Sequence, residues 1–163
     1  MMVALGTVFM TLGAFVEVMD LTVCALASLI VAFVYIEIGA PYTWLVWLCT
    51  SLATFLCFSG SVLWVEYLFV FGIYPILKAY IERLPRFLWL VFKLVFVNAV
   101  IWLMVLVCEM VLGVPFFGGE TVWINVMVYA VMNVAFVAYD LFITVLVRLY
   151  LVKYRHRFSK FLK

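Results

Sequence analysis

The sequence predicts an all-α, polytopic membrane protein of six transmembrane helices joined by short loops, and three observations carry that prediction. Hydrophobic residues make up 71% of the 163 residues and charged residues 11%, and the mean hydropathy is +1.36. A soluble fold has too little interior to hide that much apolar surface, so lipid must be the solvent. The apolar stretches are each close to bilayer-crossing length and are separated by turn-forming residues. When the two sides alternate, Lys and Arg fall in or beside the even-numbered turns and the tail, and the odd-numbered turns carry acid alone.

The elements follow in order. The first span covers about 2–18 and ends at an acidic turn with Glu17 and Asp20. A second, 21–38, stops at Gly39-Ala40-Pro41, where Gly ends one helix and Pro suits the start of the next. The third, 42–58, is broken by Ser59-Gly60-Ser61. Span four, 62–80, runs into a turn marked by Lys78, Arg83, Pro85 and Arg86. The fifth, 87–112, is long enough to tilt. It is followed by a Gly-rich loop from Gly113 to Glu120, and the sixth span, 122–150, leads into a basic tail, 151–163. The whole chain, 1–163, is then one transmembrane domain. An even span count places both termini on one side, and the basic tail makes that side cytoplasmic. No basic n-region precedes the first apolar stretch, so a removable signal peptide is not expected.

Composition also limits the chemistry. The net charge of +2 reflects topology and is no nucleic-acid signal. The tail reads as an orientation signal and a contact for anionic lipids. Cys24, Cys49, Cys57 and Cys108 lie in apolar runs without paired spacing, so they read as small buried hydrophobes, and neither a metal site nor a cofactor is expected. The only His, His156, is in the tail, which removes Ser–His and Cys–His dyads from the membrane, and the chain is not expected to be an enzyme.

Ionisable groups inside a span are costly, and so they are candidates for function. They form two layers. The inner layer holds Glu37, Lys78, Lys93 and Asp140, which suggests structural ion pairs of Asp140 with Lys93 and Glu37 with Lys78. In the outer layer, Glu66 and Glu109 have no basic neighbour in sequence, and together with Trp64, Trp102 and Asn98 they are the candidate ligand-binding set. Asn98 and Asn133 sit near mid-membrane on adjacent spans and could bond each other; Asn125 reads likewise as an interhelical group. In Phe71-Gly72-Ile73-Tyr74-Pro75, Pro75 has no N–H for the carbonyl of Phe71, so a kink is expected, and Gly72 permits close packing there. Gly6, Gly13, Ala14, Ala25 and Ala27 put small side chains on the first two spans. They serve either packing within the chain or docking of another membrane subunit.

Six short-looped spans, a small-residue first span and the stretch Met19-Asp20-Leu21-Thr22-Val23-Cys24-Ala25-Leu26-Ala27-Ser28 leading to Ile38-Gly39-Ala40-Pro41 resemble the S components of energy-coupling-factor (ECF) transporters. Phe71–Lys78 followed by Ile81-Glu82-Arg83 is similar to small bacterial membrane proteins of S-component-like architecture. The resemblance implies a multi-pass subunit of a bacterial plasma membrane that captures a small solute in an outward-facing cavity. It also implies a transmembrane scaffold subunit and two ATPases as partners. One alternative is a non-catalytic scaffold of the MreD type, which needs no solute. Another is an autonomous ion-coupled transporter using Glu66 or Asp140.

Overall fold

The computed structural model describes residues 1–16, 20–113 and 122–154. Glu17, the loop 114–121 and the basic tail from Arg155 onward lie outside the described residues. Everything described is helical or turn, with no strand. Helix α1 is Met2–Phe15, α2 is Asp20–Glu37 and α3 is Ala40–Cys57. A broken helix follows, made of α4 (Leu63–Glu66), a π-helical turn (Tyr67–Phe71) and α5 (Tyr74–Ile81). Helix α6 is Arg86–Val107, continued by a π-helical turn, Cys108–Leu112. Helix α7 is Val122–Leu149, continued by another, Tyr150–Tyr154.

Five of these segments have the length and hydropathy of a bilayer crossing: α2, α3, the broken helix, α6 and α7 with their extensions. Helix α1 is apolar but only 14 residues long, about 21 Å at 1.5 Å per residue. That is short of the roughly 30 Å hydrocarbon layer.

The stop between α2 and α3 is built as its residues dictate. Gly39 adopts φ +112, a conformation L side chains rarely take, and its N–H reaches back 3.1 Å to the carbonyl of Val34. Pro41 then occupies the first turn of α3, where its missing N–H costs nothing.

Helix α2 and the broken helix form the centre. Cys24, Ala27 and Val31 of α2 meet Leu63, Tyr67, Phe71 and Tyr74 of the broken helix, and α6 and α7 add Val97, Ile101, Phe136 and Ile143. The most apolar 18-residue stretch of the broken helix is 56% buried, against 17% for the corresponding stretch within Val122–Lys153. The outer faces of α3, α6 and α7 expose Leu45, Leu90, Val131 and many other large apolar side chains. In water such a surface would aggregate, and in a bilayer it is the lipid contact.

The small residues of the first two helices are used inside the chain. A Cβ on Gly6 would lie 3.1 Å from Thr50 Cγ2, and one on Gly13 would lie 3.1 Å from Val23 Cγ1. Ala27 is fully buried, and Ala14 and Ala25 pack against the core. Of the two uses expected for these five residues, packing within the chain is the one seen among the described residues. The close approach they permit is that of α1 and α2 with each other and with α3 and α4.

Candidate functional site

The site is organised by the break in the fourth long segment. In the turn Tyr67–Phe71 the register lengthens by one residue, and the N–H of Gly72 bonds to the carbonyl of Tyr67 at 2.7 Å. Pro75 supplies no N–H to the carbonyl of Phe71. Two distant side chains satisfy the disturbed carbonyls. The Trp47 indole N–H donates to Leu68 O at 3.2 Å, and the Tyr139 hydroxyl donates to Phe71 O at 3.2 Å. Trp47 can lie across the break because position 72 has no side chain. A Cβ there would overlap Trp47 Cδ1 and sit 2.8 Å from the carbonyl of Tyr67.

Below the break is a charged cluster. Asp140 of α7 accepts a short hydrogen bond from Lys78, one from the Tyr74 hydroxyl at 2.5 Å and one from Lys93 at 2.7 Å. Lys78 also donates to Thr144 Oγ1 at 2.6 Å and pairs with Glu82 at 3.2 Å. Lys93 lies 3.8 Å from the same Glu82 carboxylate. Two cations and two anions thus balance, which is the condition under which charge is tolerated away from water. The expected pairing of Glu37 with Lys78 is corrected: Lys78 turns to α7, and Glu37 accepts the Tyr150 hydroxyl at 2.9 Å. A hydrogen bond between Asn98 and Asn133 does not form either. Both engage Tyr129, whose hydroxyl donates to Asn98 Oδ1 and whose carbonyl accepts from Asn133 at 3.0 Å. Asn125 Oδ1 is buried without a partner among the described residues.

Above the break, α2, the broken helix, α6 and α7 enclose a cavity of about 640 Å³. Its walls are almost entirely apolar, with Val97, Val100, Ile101 and Met104 on α6 and Met132 and Phe136 on α7. Its floor is aromatic. Phe71, Phe96, Phe136 and Tyr139 line it, and all four rings contact Tyr74 or one another. Tyr74 meets Phe136 edge-on at 4.7 Å and stacks on Phe96 at 5.7 Å, and Phe71 meets Tyr139 at 4.7 Å. Because the Tyr74 hydroxyl binds Asp140, this aromatic layer separates the cavity from the charged cluster.

One acid reaches the cavity. Glu66, at the end of α4, lines it, and its Oε2 is buried with no hydrogen-bond partner among the described residues. No Lys or Arg among those residues pairs with it. The structure does not bring the other candidates here. Glu109 is exposed on the turn Cys108–Leu112. Trp102 is 65% exposed on the outer face of α6. Asn98 is bound to Tyr129. Trp64 is buried, packs edge-on against Phe55 at 5.0 Å and donates to the carbonyl of Ser59 at 3.1 Å, so it closes the turn between α3 and α4. Of the expected ligand-binding set, Glu66 alone lines the cavity. The wall residues were missed because an apolar residue of α6 that faces a void has the same sequence signature as one that faces lipid.

No protein-family model matches the chain, and no curated protein or solved structure is significantly similar to it.

Proposed function

We propose that the chain is a solute-binding integral membrane protein that holds its ligand in the cavity between α2, the broken helix, α6 and α7. The observation that carries this reading is the cavity itself. Its volume of about 640 Å³ lies within the roughly 300–1,000 Å³ typical of small-molecule sites. It also combines apolar walls with one unsatisfied polar group, as such sites do. A packed scaffold needs no void of this size, because empty volume forfeits contacts.

The proposal extends to the importer reading. The chain then acts as the substrate-binding subunit of a multisubunit importer of the ECF type, in a bacterial plasma membrane, with α1 completing six spans and both termini cytoplasmic. The charge asymmetry of the turns supports that topology. A transmembrane scaffold and ATPases would supply the energy, since the short-looped layout offers no nucleotide-binding motif. Subunit contact is open to the exposed apolar faces, which include Val8 and Leu12 of α1 as well as the outer sides of α3, α6 and α7. An autonomous ion-coupled mechanism through Asp140 is less well supported, because that carboxylate is held by Lys78, Lys93 and Tyr74.

The test is affinity purification in mild detergent, with mass spectrometry of both bound proteins and bound small molecules. The reading expects one defined solute, together with a membrane scaffold and ATPases. Recovery of cell-envelope assembly proteins with no solute would replace it with the scaffold reading.

A further inference from the structure

The rim of the cavity carries information about what enters it. The lining residues that reach the surface belong to α2 and α7: Leu21, Thr22, Leu26, Ala135, Ala138 and Phe142. Leu26 is 42% exposed and Phe142 43% exposed. None of the six is charged, and Thr22 is the only polar one. All lie within segments of bilayer-crossing length and hydropathy. Ala135 and Ala138 are one helical turn apart, so their small side chains leave the α7 side of the rim low. Leu21 and Thr22 lie beside Asp20 at the start of α2, whereas Leu26, Ala135, Ala138 and Phe142 lie deeper in these segments, and a mouth of that deeper composition suits hydrocarbon. Water and free ions have no favourable route across it, whereas an acyl chain does.

Inside, the only group that asks for a specific partner is the Glu66 carboxylate, whose Oε2 has neither a donor nor a cation among the described residues. A charge in that position is costly until it is paired, and an ammonium group would pair it while donating a hydrogen bond. The walls beyond Glu66 offer dispersion contacts and no further polar group until the aromatic floor.

We infer that the cavity is filled sideways from the bilayer by a long-chain amine, a membrane-dissolved amphiphile whose ammonium head binds Glu66 and whose chain lies between α6 and α7. This rests on the solute-binding reading and names the class of solute. It sets the carboxylate as the head-recognition group and the α2–α7 gap as the route.

The experiment uses the full chain in lipid nanodiscs, with radiolabelled dodecylamine as the probe and empty nanodiscs as the partition blank. Wild-type protein is expected to bind one dodecylamine saturably above the blank, with dodecanoate failing to compete and butylamine competing poorly. Glu66→Gln should weaken binding roughly tenfold to a hundredfold, as loss of a charged hydrogen bond does. Ala138→Trp should slow association without moving the thermal transition, and Leu26→Trp provides a second blocked mouth should the first disturb folding. Unchanged affinity in Glu66→Gln would overturn the head assignment. Equal competition by butylamine, with both mouth variants silent, would show filling from water; it overturns the lateral route and leaves solute binding standing. If dodecylamine stays at the blank while another defined solute copurifies, the amine class is wrong and the solute-binding reading survives. If nothing binds or copurifies, both fall.

Discussion

Removal of one hydroxyl tests how the broken helix is held. In Tyr139→Phe, the carbonyl of Phe71 loses the donor at 3.2 Å. Pro75 cannot replace it, because it has no N–H. Tyr139 is 7% exposed and Phe71 8% exposed, so neither water nor lipid headgroups can take over. Hydrogen bonds between membrane helices average about 0.6 kcal/mol and reach about 1.7, and an orphaned buried acceptor costs about 1–3 kcal/mol. The expected loss is therefore about 1–2 kcal/mol, at the upper end of the membrane range. The double-mutant cycle with Pro75→Ala sharpens the test. That substitution brings back an N–H four residues beyond Phe71, so Tyr139→Phe should cost at most about half as much in that background. Equilibrium unfolding in mixed micelles with a denaturing detergent reads the four stabilities. Equal losses in both backgrounds, or no loss in either, would refute the claim that Tyr139 substitutes for the N–H that Pro75 lacks.

Other outcomes follow from the same contacts. Gly72→Ala drives a Cβ into Trp47 Cδ1 and to 2.8 Å from the Tyr67 carbonyl and should destabilise by about 1–3 kcal/mol, read by the same unfolding assay. Asp140→Ala leaves Lys78 and Lys93 with the more exposed Glu82 as their one carboxylate among the described residues and should cost about 3–5 kcal/mol. Glu82→Gln, at 35% side-chain exposure, should cost no more than about 1 kcal/mol. Glu66→Gln neutralises a carboxylate whose buried Oε2 has no hydrogen-bond partner among the described residues, so thermal melting of the empty protein should show it unchanged or more stable while ligand binding falls.

The break at Phe71–Pro75 was legible because proline chemistry is local. The identity of the groups that repair it was not. Nothing in the sequence singles out Trp47 and Tyr139 as the donors, because it is the packing of α3 and α7 that sets their height against Leu68 and Phe71. The pairing of Lys93 with Asp140 was legible from their sequence positions, but position could not choose among the partners of Lys78. Lys78 had Glu37 and Asp140 within the same layer, and the rotation of α5 toward α7 decided for Asp140. The small residues of α1 and α2 signalled close helix approach correctly but carried no sign of whether the approaching helix belonged to this chain. The cavity was legible only through Glu66, because its other walls repeat the composition of a lipid-facing helix.

Native mass spectrometry of the protein released from its own membrane tests the central claim most directly. Val100→Phe serves as the comparison, since it adds bulk to a cavity wall. The account predicts one defined small-molecule adduct on the wild type and its loss from an equally folded Val100→Phe variant. An adduct of the same mass and occupancy on both proteins, or a wild type with none, would contradict it.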